Sequence, residues 1–207
     1  MSTMTRRAMG IAGLAVIVTA TAVWAQQAAP TVRVRGEITK VDGTMLSVKT
    51  RDGQNVTVKL AEPPRIAAMV KASLADIKDG SFIGVSAMPQ PDGSQKAYAV
   101  HIFMDAQKGV VPARFGPWDS RPGSTMTNAN VASTVAGKDG QDILVKYPDG
   151  EKKVVVPAGI PIAKYVPGAA ADLKVGAKVF VAAAKKEADG TLTAPNIAVG
   201  RDIDPPQ

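Results

Sequence analysis

Thirteen residues, Ala75-Asp76-Ile77-Lys78-Asp79-Gly80-Ser81-Phe82-Ile83-Gly84-Val85-Ser86-Ala87, return later as Ala171-Asp172-Leu173-Lys174-Val175-Gly176-Ala177-Lys178-Val179-Phe180-Val181-Ala182-Ala183. Each copy opens on Asp-(Ile/Leu)-Lys-x-Gly and runs on into an alternation of large and small residues. The surrounding turns repeat as well. Asp42-Gly43 matches Asp139-Gly140, Asp52-Gly53 matches Asp149-Gly150, and Asp92-Gly93 matches Asp189-Gly190, all at one spacing. Self-similarity at a fixed period is the mark of a repeated structural unit. The chain therefore reads as one β-rich module written twice.

Within the first copy, Val32-Arg33-Val34-Arg35-Gly36-Glu37-Ile38-Thr39 alternates apolar and polar residues. This is the period-two pattern of a half-buried strand, with Val32, Val34 and Ile38 inward and the charges outward. Leu46 and Val48 repeat the alternation after Asp42-Gly43. Val56, Val58 and Leu60 do so after Asp52-Gly53, a pair whose tolerance of positive φ suits a hairpin turn. A three-strand meander results.

Residues 66–74 are ambiguous, because Ile66, Met69, Val70 and Leu74 also suit a helix. The second copy decides the matter: Ile66 and Val70 align with Ile162 and Val166, which Pro161 and Pro167 bracket. Proline biases its predecessor towards extended backbone, so a strand is expected here, followed by a short helical turn at 74–78. A hairpin of 82–88 and 97–103 across Pro91-Asp92-Gly93 completes the module. The second copy repeats the order at 129–135, 143–147, 153–156, 162–166, 178–184 and 195–199. Short strands with a turn every eight to twelve residues indicate an all-β fold of two tandem small barrels, with modules at 26–104 and 128–203. Closing each sheet would also hide its valine-rich edges.

Between the modules, 105–127 is rich in Gly and Pro and reads as a linker that is either functional or unstructured. It carries Phe115 and Trp118 in a chain with only four Phe, two Trp and three Tyr. A tryptophan in such a segment packs on something, and Phe115, Trp118 and Met126 are expected to lie against the seam between the modules. His101 and Asp105 lead directly into that seam.

Arg6 and Arg7 followed by the uncharged run 8–23, with small residues at Val23 and Ala25, have the order of a secretory signal peptide cut after Ala25. The run is short for a bilayer span, which needs about 20 apolar residues, so no stable membrane span is expected after cleavage. Loss of Arg6 and Arg7 lowers the net charge from +7 to +5. Periplasmic localisation follows from this reading. Cysteine is absent, which excludes disulfides, thiolate nucleophiles and Cys-based metal sites. The basic residues are scattered, so they read as solvated strand faces and not as a nucleic-acid patch.

The meander, Asp-Leu-Lys-x-Gly turn and closing Asp-Gly hairpin resemble an exported β-barrel family of unknown function, itself similar to an OB-fold. Over nearly the whole mature chain the sequence is similar to a narrower group of uncharacterised proteobacterial exported proteins. Lys71 to Lys78, His101-Ile102-Phe103, Pro117-Trp118-Asp119 and Gly123 to Ala129 carry that match. The resemblance implies two OB-like barrels and no established chemistry. In that group the segment before Pro-Trp-Asp commonly contains an extra Glu and His. Here it reads Val110-Val111-Pro112-Ala113-Arg114-Phe115, so any metal ligands at those positions are lost.

His101 is the one histidine, and no nucleophile motif accompanies it. On its strand it would share a face with Ala97, Ala99 and Phe103, as a structural residue. The sharper alternative is metal binding, with Met104 and Met126 soft enough beside it to select Cu(I). The aspartates that precede glycines are explained by turn geometry, and no phosphate loop, dinucleotide fingerprint or zinc spacing is present. The expected function is that of an exported, non-enzymatic binding or envelope-accessory protein with no cofactor, whose partner is a small ligand or an envelope protein. The alternative is a periplasmic copper-binding protein. His101, Asp105, Phe115, Trp118, Asp119 and Met126 are the candidate ligand-binding residues, and no catalytic or metal residue is assigned.

Overall fold

A computed structural model describes residues 31–138 and 140–205. The expected signal peptide and its expected cleavage site lie outside these residues. The fold is all-β: twelve strands joined by short turns, with three single 3-10 turns and no α-helix among the described residues. No helix there is long and apolar enough to cross a membrane.

The first meander forms as its alternation dictates, through β1 (Thr31–Asp42), β2 (Met45–Thr50) and β3 (Asn55–Lys71). A hairpin of β4 (Phe82–Pro89) and β5 (Gln95–Ile102) follows, and a short β6 (Arg114–Pro117) leads into the second meander. That meander is β7 (Thr125–Gly137), β8 (Gly140–Tyr147) and β9 (Gly150–Pro157). Then come β10 (Ile162–Pro167) and the hairpin of β11 (Lys178–Lys186) and β12 (Leu192–Gly200). Residues 66–70 are extended within β3, as their copy in β10 indicated. The turn after them is a single 3-10 turn, Leu74–Asp76.

The strands do not close in the expected groups. Antiparallel ladders run β11–β1–β2–β3 and β11–β12, and a parallel ladder joins β12 to β3. This ring of five combines the first meander with the last hairpin. The second ring has the same pattern: β4–β7–β8–β9 and β4–β5 antiparallel, β5–β9 parallel. Each half of the chain lends its hairpin to the meander of the other. The contiguous modules 26–104 and 128–203 are therefore not the folding units. One barrel is β1, β2, β3, β11 and β12 (the first barrel), and the other is β4, β5, β7, β8 and β9 (the second barrel).

β3 carries the chain from the first barrel to the second. From Asn55 to Lys71 the chain meets no glycine, and although Pro63-Pro64 lies in its middle it continues as a strand of 17 residues, at most about 55 Å at ~3.3 Å per residue. That length carries it out of its own barrel before the chain can reverse. In the second copy, Ala158-Gly159 interrupts the same path and divides it into β9 and β10. The closing registers nonetheless correspond residue for residue: Leu192 opposes Val58 where Gln95 opposes Val154, and Ile197 opposes Ile66 where Val100 opposes Ile162.

The repeated Asp-(Ile/Leu)-Lys-x-Gly turn locks each exchange. Asp76 and Asp172 accept the backbone N–H of Ser73 and Ala169, each at 2.8 Å, and so cap the 3-10 turns. Ile77 enters the core of the second barrel and Leu173 that of the first. Gly80, at φ +80°, then donates to the Val131 carbonyl, and Gly176, at φ +87°, to that of Ile38. Both bonds cross to the opposite half of the chain.

Each barrel is filled by its own apolar interior, and each interior draws on both halves. Val34, Ile38, Leu46 and Val58 meet Val179, Val181 and Ile197 in one; Ile83, Val85 and Val100 meet Val131, Ile143 and Val154 in the other. A third cluster fills the seam between the barrels, with Met69, Phe82, Phe103, Tyr165 and Phe180 at its centre. β10 spans that seam, antiparallel to the far end of β3 and parallel to β5.

Candidate functional site

The segment expected to be a linker is structured. It contains the 3-10 turn Asp105–Gln107, and β6 pairs with the start of β7. Beyond β6, residues 118–124 form a strap fastened to both barrels. On the second barrel, the Tyr98 hydroxyl lies 2.5 Å from Ser120 Oγ, and the Arg121 guanidinium sits over the Tyr98 ring at 4.0 Å. Ser124 Oγ donates to the carbonyl of Arg121 at 2.7 Å, which closes the strap's turn.

On the first barrel the strap meets β1. Alternation turns Val34 into the core and leaves Arg33 and Arg35 together on the outer face. Asp119 accepts from Arg35 at 2.7 Å and 3.2 Å and from Arg33 at 3.1 Å. The Arg35 hydrogen bond, with both arginine charges behind it, pulls the Asp119 carboxyl down to about 2. Both guanidiniums also lie over the Trp118 ring, at 4.8 and 4.9 Å, a favourable cation–π geometry. Trp118 meets Phe180 edge-on, with centroids 6.4 Å apart, and so joins the seam. The Arg35 side chain is 7 % exposed, yet among the described residues its Nε has no hydrogen-bond partner, and neither has Trp118 Nε1.

Two grooves open beside this junction. The larger, about 470 Å³, lies at the end of the first barrel. It runs between β1, the β2–β3 turn and the β11–β12 turn. The smaller, about 370 Å³, lies over Arg33, Arg35 and Asp119. Ligand sites typically measure ~300–1,000 Å³.

The candidate residues separate. Trp118 and Asp119 belong to the junction. Phe115 does not reach the seam: it stacks on Tyr147 of the second barrel at 6.3 Å, beneath Lys152. Met126 is buried in β7 between Ser86 of β4 and Gly116 of β6, also away from the seam cluster. Asp105 is almost fully exposed and pairs with Lys108 at 2.8 Å.

His101 is buried in the seam, edge-on to Phe103 at 5.1 Å and to Tyr165 at 5.8 Å. Burial alone lowers its pKa from 6.5 to about 4. It does not share a face with Ala97. Ser86 opposes Ala99 and Ala87 opposes Ala97, so Tyr98 is a bulge that turns Ala97 into the core. Among the described residues, no group of three or more His, Cys, Asp or Glu side chains could hold a metal ion.

The sequence reading missed Arg33, Arg35, Arg51 and Lys186. The alternation of Val32 to Arg35 did place two arginines on one face. Nothing local showed that Trp118 and Asp119, more than eighty residues away, would close on them. Comparison with protein-family models, curated proteins and solved structures finds no match for the chain.

Proposed function

We propose that this is an exported, periplasmic, non-enzymatic binding protein of the OB-like family it resembles, and that it holds its ligand beside β1 of the first barrel. The observation that carries the reading is Arg35: a guanidinium buried at the junction of barrel and strap, its Nε unpartnered among the described residues, lining both grooves. Burying a charge is costly unless it is paired, and Asp119 pairs this one only in part. The Asp119 side chain is itself 48 % exposed, so a ligand can approach the pair from solvent. Native mass spectrometry of protein purified from the periplasm tests the proposal. The expected spectrum shows a chain beginning at Gln26 with a retained small-molecule mass. A bare chain, or one that keeps residues 1–25, overturns it. A retained copper ion would instead favour the metal-binding reading.

A further inference from the structure

The groove at the end of the first barrel has a two-part chemistry. Its floor is apolar, from Val32, Val34, Val56 and Leu192, and its rim carries Arg51 and Lys186. Neither rim cation has a carboxylate partner among the described residues. Asp52, the acidic residue between them, already accepts the Thr50 hydroxyl at 2.5 Å.

The second barrel supplies an internal control. By the registers of the two barrels, Val32, Val34 and Leu192 stand where the second barrel has Thr125, Thr127 and Gln95. There the end is sealed: Thr125 Oγ1 donates to Gln95 Oε1 at 2.7 Å, and all three side chains are buried. In the first barrel the same positions are apolar and line a groove: Val34 and Leu192 are buried there too, while Val32 stands 38 % exposed with no hydrogen-bonded pair across the end among the described residues.

We propose that this groove binds an anionic amphiphile, a phosphate or carboxylate head on a short alkyl or acyl body, with the head at Arg51 and Lys186 and the body on the valine and leucine floor. The inference rests on the binding-protein reading and names its ligand class.

Titration of the chain 26–207 with octyl phosphate, octanoate, inorganic phosphate and octyl glucoside, each below its micelle concentration, tests it by calorimetry and amide chemical shifts. Octyl phosphate or octanoate is expected to bind, shifting Val32, Arg51, Gln54, Lys186 and Leu192. Which of the two binds more tightly identifies the head group. Inorganic phosphate and octyl glucoside should each bind about tenfold or more weakly, since each offers only half of the recognition. Arg51→Gln with Lys186→Gln, both exposed positions, should weaken the amphiphile about tenfold or more while the melting temperature holds. Octyl glucoside binding as tightly as octyl phosphate, an affinity unmoved by the double variant, or shifts confined to the second barrel would overturn the proposal. A neutral ligand retained in periplasmic protein would overturn the class and leave the binding reading standing.

Discussion

The two barrels share one pairing scheme but differ in how the chain reaches it. The second is assembled within a single stretch of chain, from β4, β5, β7, β8 and β9. The first waits for β11 and β12, which arrive more than a hundred residues after β3. Identical ladders can thus be closed by local or by distant partners, and distant closure is the slower and entropically costlier route. The first barrel is the more dependent of the two. It is also the barrel with the open apolar end and the buried arginine, so the less locally determined half of the molecule carries the candidate site.

Truncation breaks this comparison most severely. A chain ending at Lys174 lacks β11 and β12 but keeps every strand of the second barrel. Amide exchange is expected to show full loss of protection in β1 and β2, with protection retained in β4, β5, β7 and β8. Contiguous modules would give the reverse, an intact first module and a ruined second one.

Acid sharpens the contrast at the seam. The folded-state pKa of His101, about 4, lies below its ordinary value of 6.5. Between those values the unfolded chain binds the proton and the folded chain does not. The stability that His101 contributes is complete above pH 6.5 and is lost as pH falls towards 4, by about 3 kcal/mol at ~1.4 kcal/mol per unit. His101→Phe keeps a ring against Phe103 and Tyr165, and urea titrations across this window should lose most of that slope. The Asp119 carboxyl also stabilises the fold when ionised. Its contribution disappears below 3.8, towards about 2, and so falls outside the histidine window.

The strap comes next in size. Trp118 is half-buried, so Trp118→Ala is expected to cost about 2–3 kcal/mol, less than the ~3–5 kcal/mol of a fully buried tryptophan. Because it touches Arg33, Arg35 and Phe180, the loss should appear in amide exchange of β1 and β11 before that of β8. Equal loss in β8 would show that the strap serves both barrels alike.

Much of this was legible in the sequence. Alternating valines gave the strands, Asp-Gly pairs gave the turns, and the repeat showed that residues 66–70 are extended. The exchange of hairpins was not, for a physical reason. The hairpins of 82–102 and 178–200 present almost the same apolar pattern, so either could close either meander. β3, continuous through Pro63-Pro64, delivers the first hairpin to the other meander, and no local signal announces it. The side-chain face of His101 was lost for a different reason: one extra residue, Tyr98, inverts a period-two pattern, and nothing in its identity announces a bulge. The tryptophan was rightly expected to pack, but its partners lay in strands whose position depended on the unread exchange.

The smallest effect concerns one pair at which the barrels mirror each other. Gly84 opposes His101 in the second barrel, and Phe180 opposes Ala198 at the matching place in the first. Each pair sets one ring over one small residue, with the large member on opposite strands. A Cβ added at Gly84 would run into the His101 imidazole, so Gly84→Ala is expected to destabilise by about 1–3 kcal/mol, as overpacking does. His101→Ala leaves a hole in the seam and costs about 2 kcal/mol or more, as truncation of a buried side chain does. With both changes the new methyl fills part of the space the ring vacated. The double variant should then be more stable than the two single costs added together, by about 1 kcal/mol of coupling, within the range for residues in contact. Chemical denaturation of the four proteins in the cycle measures this directly. Strict additivity would mean that the ring does not rest on Gly84, and the mirror relation between the barrels would then be one of backbone register alone.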